Sequence, residues 1–140
     1  MNEFVPPKEL SIGFIGAGKV GATLAISLHR AGYAVRGVAS LRKESARQLT
    51  QHIPGCRYYP SLQQVANQCK LVFITTPDDV ISEVASAIEW QPNHGVIHCS
   101  GTHSLDLLEG PQNMGAQTAS LHPLLEGSGH VSNLRRLQHP

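Results

Sequence analysis

Residues 10–28 read LSIGFIGAGKVGATLAISL, and the folding of this stretch decides the architecture of the chain. A short apolar run with Ile12, Phe14 and Ile15 among small residues breaks into Gly16-Ala17-Gly18-Lys19-Val20-Gly21. Apolar residues resume as Val20, Leu24, Leu28 and Ala31 at helical spacing, which gives strand, glycine turn, helix. Each glycine has its own reason to lack a Cβ. Gly16 lets the chain turn off the strand, Gly18 lets a diphosphate approach the backbone, and Gly21 lets the helix lie close to the sheet. Free N–H groups in the first helical turn, at the positive end of the helix dipole, then form a site for anionic phosphates. A tight βα turn that binds nothing can carry the same glycines. What favours the ligand reading is the setting between a buried strand and an amphipathic helix.

Working outward, Ala31-Gly32 reads as the stop of that helix and residues 33–39 (YAVRGVA) as a second strand. Residues 42–53 carry Ala46, Leu49 and Ile53 on one face, a helix ended by Pro54-Gly55, and Arg57-Tyr58-Tyr59 is a short third strand. Ser61 with Gln64 has the spacing of a capping box for a helix through about Gln68. The run LVFIT at 71–75 suits a strand buried on both faces. Thr76-Pro77-Asp78-Asp79 opens another helix, with Val80, Val84 and Ile88 as its buried stripe. A fifth strand at 95–99, a short helix around 104–108 and a sixth strand at 116–121 complete the series. Such alternation predicts right-handed crossovers and a doubly wound, mainly parallel α/β sheet between two helical layers. Residues 1–9 read as a flexible lead-in, 10–124 as the domain, and 125–140 as an irregular tail in which both periodicities lapse.

At 140 residues the chain is expected to be one domain, burying about two-thirds of its unfolded surface. Its 41% apolar and 15% charged content is that of a soluble globular protein. A net charge of +1 provides no electrostatic basis for binding nucleic acid or an anionic membrane. No apolar run approaches the ~20 residues that cross a bilayer, and MNEFVPPKEL lacks the layout of a secretion signal, so a cytoplasmic location is expected. Cys56, Cys69 and Cys99 have no CxxC spacing and are expected as reduced thiols.

In a doubly wound sheet, ligands sit beyond the carboxyl ends of the strands, so the residues after each strand matter most. After the first come Gly16, Ala17, Gly18, Lys19, Val20 and Gly21; after the second, Ser40, Leu41, Arg42 and Lys43. An NAD site usually has Asp or Glu here to hold the ribose hydroxyls, whereas this turn has a hydroxyl and two cations and no acid before Glu44. A carboxylate would repel a 2′-phosphate; Arg42 can grip one with its planar fork and Ser40 can donate to it. NADP is thereby favoured over NAD, although Arg42 and Lys43 would also suit a merely solvated helical turn. After the fourth strand, Thr75, Thr76 and Pro77 are placed to line a ribose, or Thr76 and Asp78 simply cap the helix. After the fifth, Ser100 faces the nicotinamide amide or a substrate, or caps a helix in its turn. His122, before Pro123, is the other candidate for acid–base or substrate contact. His94 and His98 flank a strand entrance and do not share a helical face, so no metal site is expected.

Four ordered motifs, IGFIGAGKVG at 12–21, ITTPDDVI at 74–81, HCSGT at 98–102 and SLHPL at 120–124, together resemble bacterial Rossmann-like oxidoreductases with a C-terminal helical domain of unknown function. That family is similar in its first half to pyrroline-5-carboxylate reductase, and the His-Pro is similar to that of prephenate dehydrogenase. The resemblance implies a Rossmann NAD(P)-binding fold and hydride transfer between the nicotinamide and a small imine or carbonyl substrate. It also implies that Gly16, Gly18, Lys19, Val20, Ser40, Arg42, Thr76 and Ser100 line the cofactor, with His122 near the substrate. Such proteins continue after the His-Pro into a helical half that forms a homodimer, whereas sixteen residues follow Leu124 here. Three expectations therefore stand: the cofactor half of an NADP-dependent oxidoreductase, a non-catalytic dinucleotide-binding or regulatory module, or a truncated dehydrogenase.

Overall fold

Six strands alternate with helices in a computed structural model that describes residues 8–100 and 105–121. In chain order the elements are β1 (Ser11–Ile15), α1 (Lys19–Arg30), β2 (Ala34–Ala39), α2 (Lys43–Gln51), β3 (Arg57–Tyr58) and α3 (Leu62–Gln68). Then follow β4 (Leu71–Ile74), α4 (Ile81–Ser86), β5 (Gly95–His98), α5 (Glu109–Asn113) and β6 (Gln117–Ser120). The strands lie in the order β3-β2-β1-β4-β5-β6, every neighbouring pair parallel. This is the expected doubly wound sheet. The tail, residues 122–124 with His122, and residues 101–104 lie outside the described residues, as does the lead-in apart from Lys8 and Glu9.

All four residues of β4 are buried, and their alternation builds two cores. Leu71 and Phe73 join Leu24, Leu28, Ala46 and Leu49 beneath α1 and α2. Val72 and Ile74 join Val65, Ile81, Val84 and Leu108 on the opposite face. Phe14 and Phe73, paired in register on β1 and β4, stack with ring centroids 5.0 Å apart. Burying each such side chain stabilises the fold by roughly 1.5–3 kcal/mol, so the layers hold together through the centre of the sheet.

Three helices depart from the expected pattern. In α1 the buried stripe is Gly21, Leu24, Ala25 and Leu28; Val20 is half-buried and Ala31 exposed, because the helix rests on the sheet through its smallest residues. The segment after β4 opens as a 3-10 turn, Asp78–Val80, before α4, and Ile81, Val84, Ala85 and Ile88 are buried where Val80 was expected. The short helix predicted at 104–108 is a 3-10 turn, Leu105–Leu108, that continues into α5. The capping box of α3 is present in both directions, Gln64 N–H to Ser61 Oγ and Ser61 N–H to Gln64 Oε1, each 3.2 Å. Among the described residues no helix is long and apolar enough to cross a membrane.

His94 ties the turn before β5 to α3. Its Nδ1 accepts from Gln91 N–H at 2.8 Å, so Nε2 carries the proton and donates to Ala66 O at 2.7 Å. The ring is 5% exposed and meets the edge of Trp90, whose Nε1–H donates to Ala85 O. His94→Ala would strand a buried carbonyl and amide, and is expected to cost about 2–4 kcal/mol. Thermal unfolding should therefore fall by roughly 10 °C, and a drop under about 2 °C would show that the pin carries no weight.

Candidate functional site

The winding of the sheet reverses between β1 and β4, and the segments that leave their carboxyl ends must part there. Beyond them lies a crevice of about 610 Å³. Its first wall is the glycine turn, where three glycines act differently. Gly16 has φ +106°, and a Cβ on it would stand 2.8–2.9 Å from the backbone of Thr75 and Thr76. A Cβ on Gly21 would meet Thr75 Oγ1 at 2.4 Å and Gly16 O at 2.6 Å. Around Gly18 there is nothing within 4 Å of the Cβ position, and its φ of −75° is open to any residue. Packing therefore requires Gly16 and Gly21, whereas the space beside Gly18 is left free by the protein.

Gly18 is the N-cap of α1, whose first internal bond runs from Ala22 N–H to Gly18 O at 2.8 Å. The preceding N–H groups have no intrahelical acceptor, no side chain among the described residues caps them, and no acid stands in the first turn. They present partial positive charge to the crevice, flanked by exposed Lys19. Such a donor set and an open floor match a bridging diphosphate.

The second wall follows β2. The Ser40 hydroxyl accepts from Arg42 N–H at 3.0 Å and donates to Arg42 O at 2.9 Å, closing a turn that holds the N-cap of α2. Arg42 is exposed on the crevice wall and makes no ion pair among the described residues. Leu41 beside it is 80% exposed, a hydrophobic surface facing the same space. Ser45, one turn into α2, also lines the crevice. Lys43, expected with Arg42, lies outside this wall because α2 has already turned away.

The third wall is Thr75, Thr76, Pro77 and Asp78, with Cys99 beyond β5. Thr76 does not cap the helix: the N-cap position falls on Pro77, without a side-chain bond, and Thr76 Oγ1 is buried with no partner among the described residues. Ser100, 1% exposed, is beneath the wall rather than on it. Its N–H donates to His98 Nδ1 at 3.1 Å and its Oγ has no partner among the described residues. A buried hydroxyl without a partner costs about 1–3 kcal/mol, so two at adjoining strand ends are a feature that packing does not account for. Gly21 also stands behind the crevice, against Thr75. Burial pushes the Cys99 thiol up to about 12, the Cys69 thiol to about 12 and the Cys56 thiol to about 11, so none is a thiolate at neutral pH. Among the described residues no three His, Cys, Asp or Glu gather to hold a metal.

The sequence reading gave Leu41, Asp78 and Cys99 no ligand contact of their own and missed Ser45 altogether. Position after a strand was a signal for Leu41 and Cys99; none marked Ser45, which depends on the docking angle of α2.

Residues 1–123 match the model of a family described as a Rossmann-like domain. No curated protein matches the chain. Among solved structures, BF3122 from Bacteroides fragilis, provisionally described as an NADP oxidoreductase, is 26% identical with a TM-score of 0.74, covering 85% of this chain and 45% of its own. An imine reductase from Pseudomonas sp. is 24% identical with a TM-score of 0.63, over 81% of this chain and 41% of its own. The 3-hydroxyisobutyrate dehydrogenase of Mycobacterium tuberculosis is 19% identical with a TM-score of 0.68, over 85% and 41%. The chain spans less than half the length of each of these structures.

Proposed function

Since the chain belongs to the Rossmann-like domain family, we propose that its crevice binds a nicotinamide dinucleotide, NADP in preference to NAD, as the cofactor part of an oxidoreductase. The observation that carries this reading is the free space beside Gly18, over the uncapped amides that open α1. A Cβ there would have no atom of a packing neighbour within 4 Å, so the absence of a side chain makes sense as room for a ligand. The similarity to BF3122, at 26% identity, supports the choice of cofactor.

The bound cofactor supplies the hydride-exchanging carbon of its nicotinamide ring, and the chain supplies position and polarity. The amides opening α1 hold the diphosphate, and Lys19 offsets its charge. Arg42, kept in place by the Ser40 turn, takes the 2′-phosphate with its guanidinium. Thr76, on the crevice wall and with a hydroxyl that has no partner among the described residues, offers a hydrogen bond toward the nicotinamide end, whereas Ser100 lies beneath that wall. A small imine or carbonyl compound is the substrate class we propose, on the resemblance of the four ordered motifs to bacterial Rossmann-like oxidoreductases, a family similar in its first half to pyrroline-5-carboxylate reductase.

Titration of the chain with NADPH and with NADH, followed by nicotinamide fluorescence, tests the reading. Saturable binding of both is expected, tighter for NADPH; no saturable signal with either would remove it. The described crevice wall contributes only Lys19, Arg42, Asp78 and a protonated Cys99 as titratable groups, which favours a second reading, a dinucleotide-binding module without turnover. NADPH absorbance in the presence of a panel of imines and 2-oxo acids separates the two: consumption supports the enzyme, and binding without consumption supports the module.

A further inference from the structure

Thr75 stands at the point where β4, the glycine turn and α1 meet. Its N–H donates to Ile15 O at 2.8 Å, continuing the β1–β4 ladder by one step. Its hydroxyl turns back into the protein, 2.8 Å from Gly16 O and 3.4 Å from Ile15 O. The same oxygen occupies the space that a Cβ on Gly21 would take, 2.4 Å from that position. One hydroxyl thus touches the entry of the turn and the third residue of the helix that follows it.

This arrangement is more than strand capping. Gly16 sits at φ +106°, a conformation open to glycine and to few other residues, and Thr75 and Thr76 pack against it at 2.8–2.9 Å of its Cβ position. The peptide that follows Gly16 points its carbonyl at Thr75, so the hydrogen bond sets the plane from which Ala17 and Gly18 depart. The uncapped amides of α1 take their direction from that departure, and hydrogen bonds to a charged group lose strength steeply with misalignment.

We propose that Thr75 is a positioning residue for the diphosphate: its hydroxyl aims the amides of the first turn of α1 and is committed to Gly16 rather than to the ligand. The inference rests on the dinucleotide reading above. It assigns the absent side chain of Gly21 a specific purpose, room for the Thr75 oxygen, and it couples β4 to phosphate binding across 59 positions of sequence.

The test compares Thr75→Val, Thr75→Ala and Thr75→Ser with the unaltered chain, measuring Kd for NADPH and for adenosine 2′-monophosphate, which reaches the Arg42 wall and lacks the diphosphate. Thr75→Val is expected to weaken NADPH about five- to tenfold, with the 2′-monophosphate changed less than about twofold, and Thr75→Ser to restore NADPH to within about twofold. Thr75→Ala, which opens space and clashes with nothing, gives the same comparison if the valine variant does not fold. Unchanged NADPH affinity in Thr75→Val or Thr75→Ala would overturn the proposal. So would equal losses for both ligands, which would mean general loosening, or a serine variant as weak as valine. Absence of NADPH binding by the unaltered chain would instead remove the cofactor reading itself, so the two failures are distinguishable.

Discussion

Gly18→Val is expected to abolish dinucleotide binding while leaving the fold in place. The valine Cβ would enter a space with no protein atom within 4 Å, and its backbone angles there, φ −75° and ψ −164°, are ordinary for a branched residue. The stability cost is that of a poor N-cap residue, about 1 kcal/mol, and a fall in thermal midpoint of roughly 4 °C. The same side chain would hold a diphosphate off the amides that open α1. Losing two charge-assisted hydrogen bonds costs roughly 3–6 kcal/mol, more than a hundredfold in Kd. Isothermal titration with NADPH, paired with circular dichroism melting, checks both halves. Retained affinity would place the phosphates elsewhere, and a collapsed melting curve would mean that Gly18, like Gly16 and Gly21, serves the packing.

The second large effect is expected at Arg42. Arg42→Ala should weaken NADPH about 10- to 100-fold, the range for losing a charge-assisted contact, and change NADH less than about threefold. The exposed position predicts that the NADPH advantage shrinks as salt rises, because the guanidinium is screened. Lys43→Ala should change either nucleotide less than about threefold, since Lys43 lies outside the crevice wall. Competition binding of the two nucleotides to each variant at low and high salt is the measurement. Equal losses for NADPH and NADH in Arg42→Ala would remove the preference for NADP.

Much of this was legible in residue order. The apolar run of β4 announced a strand covered on both faces because a parallel strand between two helical layers has no wet side. Gly16 was readable because a backbone at φ +106° excludes other residues by local sterics alone. Ser61 and Gln64 announced their reciprocal cap at a distance of three residues. The stripe of α1 was less legible. Its placement depends on how closely the helix approaches the sheet, and that approach is set by Gly21 against Thr75 rather than by apolar spacing.

The site divides along the same line. That the chain would wind strand and helix alternately, with a phosphate-sized opening after β1, follows from patterns confined to a few neighbouring residues, and such patterns are written in order along the chain. That Leu41 and Ser45 face the crevice while Lys43 does not, and that Thr75 holds Gly16, are facts of docking. They arise when β4 comes to rest beside β1 and α2 takes its angle on the sheet. The physical reason is range: sterics and periodicity act within a turn or two, whereas a contact between residues 59 positions apart exists only after the chain has closed upon itself.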